Sequence, residues 1–207
     1  MRYLYMAAAV VFLLTILPLQ GYSQDIITDV TYEMSFPASN LKDYTDNTSY
    51  RGIGIGVRRF VAPKISVGGF FGWNIFNEDT NKLISLDREE FSADVSGRQF
   101  RYINAVPIFF STHYYLGKSE KVMPFVGANV GTYYIRQRLE LGVYSINEDN
   151  WHFGIAPEAG IIIPLGYDNG VIANFRYNYA FESGESISGE SNSYTFWSLN
   201  VGVAYMH

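Results

Sequence analysis

Apolar and polar residues alternate at period two along most of the chain, and the alternation starts and stops eight times. The runs predict strands near residues 25–36, 50–61, 64–77, 100–116, 122–138, 151–165, 171–182 and 194–206. The segments between them alternate in length. Ala62-Pro63, Gly117–Lys121 and Gly166–Gly170 are short and carry turn residues, whereas 37–49, 78–99, 139–150 and 183–193 are long and polar. Short turns at one end and long loops at the other predict an even-stranded, antiparallel up-and-down barrel.

The two faces of each strand differ in kind. In 171–182, Val171, Ala173, Phe175, Tyr177, Tyr179 and Phe181 share one face, and Ile172, Asn174, Arg176, Asn178, Ala180 and Glu182 the other. In 50–61 the second face is Gly52, Gly54, Gly56 and Arg58. A soluble lipocalin-like barrel would put its polar face in water, where long Lys and Glu dominate. Here that face is small Gly, Ala, Ser and Asn with a few charges. It fits the cramped interior of an eight-stranded barrel, and the Phe, Tyr and Ile face fits lipid. The fold class is therefore all-β: an eight-stranded antiparallel up-and-down transmembrane β-barrel with short periplasmic turns and long extracellular loops. Strands of this length exceed the ~9–11 residues needed to cross a bilayer when tilted.

The tryptophans sharpen the assignment. Trp73, Trp151 and Trp197 lie toward the long-loop ends of their strands, and Tyr114, Tyr115, Phe125 and Tyr205 toward the short-turn ends, predicting two interfacial aromatic girdles. Arg59 shares the lipid-face parity near a short turn, where it can snorkel to headgroups. Pro107 and Pro157 fall inside strands and predict a bulge or a local gap at each, because a closed barrel has no edge to hide a missing donor.

The first residues read differently. Arg2 precedes an apolar run from Met6 to Leu19, then Gly21-Tyr22-Ser23. A run of about 14 residues is shorter than the ~20 of a spanning helix. Residues 1–23 are expected to be a cleaved signal peptide, leaving a barrel domain over 24–207 with net charge −6. Composition removes other classes. The full chain has net charge −5, no Cys and 17 Tyr with 15 Phe. Zero Cys excludes disulfides, thiol nucleophiles and Cys-ligated metal. The acidic balance without clustered Lys/Arg argues against nucleic acid as a partner. No cofactor is expected.

Candidate chemistry lies inside. If the 151–165/171–182 hairpin is symmetric about Tyr167, Glu158 faces Arg176 and His152 faces Glu182, both inward, while Phe153 faces Phe181 outward. Glu33, Arg58 and Asp29 add inward charge. These residues form either a structural plug or an ion gate, and an interior filled by side chains favours the plug. A hydrolase would need a nucleophile, base and orienting acid in reach. His152 with Glu182, and Ser183 or Ser145 at the same rim, are the candidates. The Gly52–Gly56 GxGxG stretch lacks the following helix of a nucleotide site. Three scattered histidines define no metal site, and the acidic loops lack the spacing of a calcium loop.

The last strand, Asn200-Val201-Gly202-Val203-Ala204-Tyr205-Met206-His207, resembles the β-signal read by the outer-membrane assembly machinery, with Asn200, Gly202 and Tyr205 matching and His207 replacing the usual terminal aromatic. Val106–Gly117, Pro124–Gly131 and Phe153–Pro164 resemble strands of small outer-membrane barrels of the OmpA, OmpX and OmpW kind. The resemblance implies a monomer in the outer membrane of a Gram-negative-type bacterium, in contact with outer-membrane lipid and lipopolysaccharide. It implies a structural or surface-interaction role through the loops, toward an external ligand of unidentified chemistry. The alternatives it leaves open are a narrow channel, an OmpW-like conduit opening near Leu139–Ile146, and a lipid A-modifying hydrolase. No peptidoglycan-binding domain is expected after the last strand.

Overall fold

A computed structural model describes residues 26–80, 84–88, 91–95, 99–117, 122–141, 144–166, 168–184 and 193–206. Residues 1–25, which include the expected signal peptide over 1–23, and His207 lie outside the described residues. The elements are β1 (Ile26–Ala38), α1 (Asn40–Tyr44), β2 (Ser49–Ala62), β3 (Ile65–Thr80), β4 (Ile84–Arg88), β5 (Phe91–Val95), β6 (Gln99–Tyr115), β7 (Met123–Leu141), β8 (Tyr144–Pro164), β9 (Asn169–Ala180) and β10 (Tyr194–Met206). Eight of the strands close a barrel in the order β1-β10-β9-β8-β7-β6-β3-β2, all antiparallel, and β4 pairs β5 as a separate hairpin. Closure comes from β1 against β10, in one register from Ile27↔Met206 to Ala38↔Thr195. Among the described residues no helix is long and apolar enough to cross a membrane.

The eight strands fall where the alternation predicts them, but three of the four long connections hold more structure. Segment 37–49 contains α1. Segment 78–99 contains the end of β3 and the β4–β5 hairpin. Segment 139–150 is mostly strand: β7 runs to Leu141, β8 starts at Tyr144, and they pair from Leu141↔Tyr144 inward. The alternation persists there, with Ile135, Gln137 and Leu139 buried and Arg136 and Arg138 exposed. Polar residues on the outer face gave it the composition of a loop. As a result β3, β6, β7 and β8 rise above the ends of β9, β10, β1 and β2.

The two prolines interrupt ladders without shifting them. Between β3 and β6, pairing stops at Phe71↔Ile108 and resumes at Asn74↔Ala105, opposite Pro107. Between β8 and β9 it stops at Ile155↔Tyr179 and resumes at Glu158↔Arg176, around Pro157. Each is a gap and not a bulge, because proline removes one donor and the register continues unchanged. The register shifts lie elsewhere, between Glu33 and Ser35 on β1 and between Phe60 and Ala62 on β2.

Inward side chains fill the barrel in three layers. At the long-connection end, Leu41 and Tyr44 of α1 pack with Phe70, Phe76, Ile103, Phe109, Tyr133, Ile135, Tyr194 and Phe196. At the short-turn end, Ile27, Tyr115, Met123, Phe125, Ile162, Ile172 and Ala204 form a second apolar layer. Tyr115 and Phe125, expected in a girdle, belong to this layer. Their parity is inward, and only Tyr114 and Tyr205 of that group face out. Polar residues occupy the level between. The glycines of β2 make room for them: a Cβ on Gly54 would lie 2.7 Å from Glu33 Oε1 and 2.9 Å from the Phe70 ring.

Candidate functional site: a charged interior layer and an apolar belt

The middle layer centres on Arg176. Its Nε and Nη2 donate to Glu158 Oε2 at 3.0 and 2.9 Å, and its Nη1 donates to Glu33 Oε1 at 3.2 Å. The guanidinium carbon lies 3.8 Å from the centre of the Phe70 ring, a cation–π contact shielded from water. β1, β8 and β9 supply the three charges and β3 the ring, and the cross-strand register puts Glu158 directly opposite Arg176. Asn174 Nδ2 donates to Glu158 Oε2 at 2.6 Å, and Asn74 Nδ2 donates to Glu33 Oε2 at 2.9 Å. The chain continues outward through Ser35 to Asn74 (2.8 Å), Ser35 to Ser198 (3.1 Å), Asn178 to Ser198 (2.9 Å) and Tyr133 to Asn178 (3.1 Å). Nearer the short turns, Arg58 pairs with Asp29.

Buried charges persist only when paired and hydrogen-bonded, and each carboxylate here has a cation or several donors. Strand parity also places a residue that sequence reasoning left out. His113, on β6, is fully buried with Nε2 against Glu158 Oε1 and its ring stacked 4.7 Å from Phe125. Its position two residues before inward Tyr115 was the available signal.

His152 does not meet Glu182. The His152 ring is buried, its Nδ1 lies 2.9 Å from the Phe181 carbonyl oxygen, and Tyr194 crosses it edge-on at 5.1 Å. Glu182 is exposed beyond the end of β9. The strand stops at Ala180, so the hairpin symmetry no longer fixes where residue 182 points. The proposed catalytic pairing therefore lacks its orienting acid. Among the described residues no group of three His, Asp or Glu is placed to hold a metal ion. Phe153 and Phe181 do stack on the outside, 5.9 Å apart.

α1 packs into the long-connection end of the barrel through Leu41 and Tyr44. Arg101 reaches from β6 so that its Nη1 donates to the Tyr44 carbonyl at 2.8 Å, with its guanidinium 5.1 Å from the Tyr44 ring. Asn40 Nδ2 donates to Ser193 Oγ at 2.7 Å, and Asp46 N donates to Glu78 Oε2 at 2.7 Å. Burial pushes the Tyr44 phenol up to about 12.

The outer surface is apolar around the barrel. Ile53, Ile55, Val57, Phe71, Ile108, Phe110, Val130, Phe153, Ile155, Phe175, Leu199 and Val201 are all exposed. On β2 the outward residues read Arg51, Ile53, Ile55, Val57, Arg59, so charge brackets an uninterrupted apolar stretch. Trp73, Trp151 and Trp197 face outward toward the long-connection end, and Tyr205 faces outward near the other. Trp197 stacks on Phe175 at 4.9 Å, and Trp73 Nε1 donates to Asn104 Oδ1 at 3.3 Å. In the last strand, Asn200 is buried opposite Glu33, and a Cβ on Gly202 would fall on the Val30 carbonyl oxygen.

A closed eight-stranded antiparallel barrel that is apolar outside and carries a buried charged layer inside has the architecture of small outer-membrane barrel proteins. No protein-family model matches the chain, and no curated protein matches it in sequence. Solved structures share its fold. Ail of Yersinia pestis in complex with the heparin analogue sucrose octasulfate superposes with a TM-score of 0.51 at 10% identity, covering 89% of this chain and 97% of that one. Neisserial surface protein A gives 0.51 at 15% identity, covering 89% and 97%. The N-terminal barrel domain of OprF from Pseudomonas aeruginosa gives 0.50 at 11% identity, covering 91% and 100%.

Proposed function

We propose that this protein is an integral outer-membrane barrel that acts through its external surface and does not conduct through its lumen. The observation that carries this reading is the filling of the barrel: an apolar plug that includes α1, a cross-linked charged layer, and a second apolar layer below. Ion passage would require opening all three. The barrel is exported, inserted by the assembly machinery through its last strand, and monomeric in a bilayer of outer-membrane lipid and lipopolysaccharide.

What remains accessible is the part above the lipid. The four long connections carry 13 Asp or Glu against four Lys or Arg. Ail was solved with a heparin analogue. The acidic balance of these connections disfavours a polyanion of that kind and favours a cationic or neutral external ligand.

The test is single-channel recording of the refolded protein in a planar bilayer, together with Arg176→Ala. Silence from both is the expected result. A current from the wild type, or one opened by Arg176→Ala, overturns the sealed-lumen reading. A conduit is then the better account, and the ladder gap at Ala156 and Pro157 is the feature that favours it.

A further inference from the structure

Several orphaned polar atoms of the interior gather at one place. Thr31 Oγ1, Asn174 Oδ1 and both polar atoms of the Asn200 amide find no hydrogen-bond partner among the described residues, and all three side chains are buried. They face inward from neighbouring strands. Asn174 stands opposite Asn200, Asn200 opposite Glu33, and Thr31 precedes Glu33 by two residues on β1. Unpaired polar groups are costly in such a place, and a cluster of them points to a bound partner. Glycine leaves the room for one. Thr31 Oγ1 and Glu33 Oε1 each lie 2.7 Å from where a Cβ of Gly54 would stand, so the two oxygens are separated by no more than twice that distance. The Phe70 ring, 2.9 Å from the same point, walls the space.

The charge at this level is unbalanced. Asp29, Glu33 and Glu158 supply three carboxylates, and Arg58 and Arg176 two guanidiniums. Arg101 does not make up the difference. It stands opposite Glu78, four residues beyond Asn74 on β3 and about 13 Å along the strand, and it is engaged with α1. His113 meets Glu158 through Nε2, but its Nδ1 has no partner, so an imidazolium would bury a second N–H without an acceptor.

We propose that Thr31, Glu33, Asn174 and Asn200 form a binding site for a small monovalent cation of the sodium type. Hard cations take oxygen ligands, and this set offers a hydroxyl, two amide oxygens and a carboxylate. Glu33 Oε1 keeps lone-pair capacity beyond its contact with Arg176. One carboxylate in excess matches a single positive charge. The cation enters as the barrel folds, and it ties β1 to β10 and β9, the strands that close the ring. Its retention rests on the sealed-lumen reading, whereas its stabilising effect does not.

The barrel is refolded in sodium chloride and, separately, in choline chloride at the same ionic strength, choline being too large for the site. Retained sodium is measured by elemental analysis after desalting, and stability by urea titration. Wild type is expected to keep one sodium per barrel. It is expected to unfold at a higher urea midpoint in sodium than in choline, by a margin that grows with the logarithm of sodium concentration. Thr31→Val keeps the shape and removes the oxygen, so both effects are lost, and Thr31→Ser regains them. A wild type with the same midpoint in both salts overturns the site, and the orphaned atoms then belong to water. So does a folded Thr31→Val barrel that keeps the sodium effect. Sodium that stabilises but washes out on desalting supports the site and defeats the sealed lumen instead. Each protein is first run unboiled and boiled on a gel. If Thr31→Val shows no mobility shift, the two salts compared on the wild type decide alone.

Discussion

Arg176 is the residue on which the interior turns. It is the cation shared by Glu33 and Glu158, and removing it leaves two carboxylates facing each other in a water-poor layer. Breaking a buried pair costs about 3–5 kcal/mol, more than the intact pair contributes. Arg176→Met should lower the unfolding free energy of the refolded barrel, measured by urea titration, by that amount, and Glu33→Gln/Glu158→Gln/Arg176→Met should recover most of it. A single variant as stable as wild type would show that the network is dispensable. Gly202 makes a second point at this scale. The β-signal proposed for the last strand and the backbone packing would each call for glycine there. In refolding without assembly machinery, only packing remains, so a Gly202→Ala barrel that refolds in lower yield than wild type assigns the residue to its fit against Val30. Equal yield returns it to the signal. The Glu158–Arg176 pair was legible because a short turn fixes the register of its hairpin. His113 was not, because its partner sits on β8, a strand that does not adjoin its own.

At the scale of elements, α1 is the part that alternation could not announce. Five residues give no helical period, and the helix exists because Leu41 and Tyr44 find an apolar mouth to enter. Its attachment is testable through Tyr44. The buried phenol is stabilised in its neutral form. Its contribution to docking is therefore complete below the ordinary tyrosine value of about 10 and is lost as pH rises through about 12. Ultraviolet titration against a Tyr44→Phe reference should show this late-ionising tyrosine. The Arg101 charge holds this phenol down, so Arg101→Ala should raise it further while α1 stays seated, and a fall toward 10 would show that the Arg101 bond to the Tyr44 carbonyl is what seats α1. A Tyr44 that titrates near 10 in the wild type would mean that the plug is not seated. The raised part of β7 and β8 was hidden for another reason. Above the lipid both faces of a strand can be polar, so the contrast that marks a membrane strand fades although the pairing continues.

For the whole molecule, the belt and the layers answer to the same solvent. Lipid penalises unpaired backbone groups, and closure of β1 on β10 removes the free edges that a sheet would otherwise expose, leaving the two proline gaps as the interruptions among the described residues. The wall then sorts side chains by parity, apolar outward and mixed inward, so period two announced the strands, while the small residues of the inward face separated this barrel from a soluble one. Orientation can be measured from the same pattern. All three tryptophans face outward toward the long-connection end, so they belong to one interface and none to the other. In bilayers of brominated lipid, quenching of their fluorescence should be stronger with bromines near the headgroup than with bromines near the chain ends. Aromatic rings with a polar N–H settle at the headgroup level, and the Trp73 N–H bond to Asn104 points the same way. Stronger quenching by the deep bromines would place the tryptophans at mid-bilayer. It would then move the lipid boundary outward past the exposed Arg136 and Arg138.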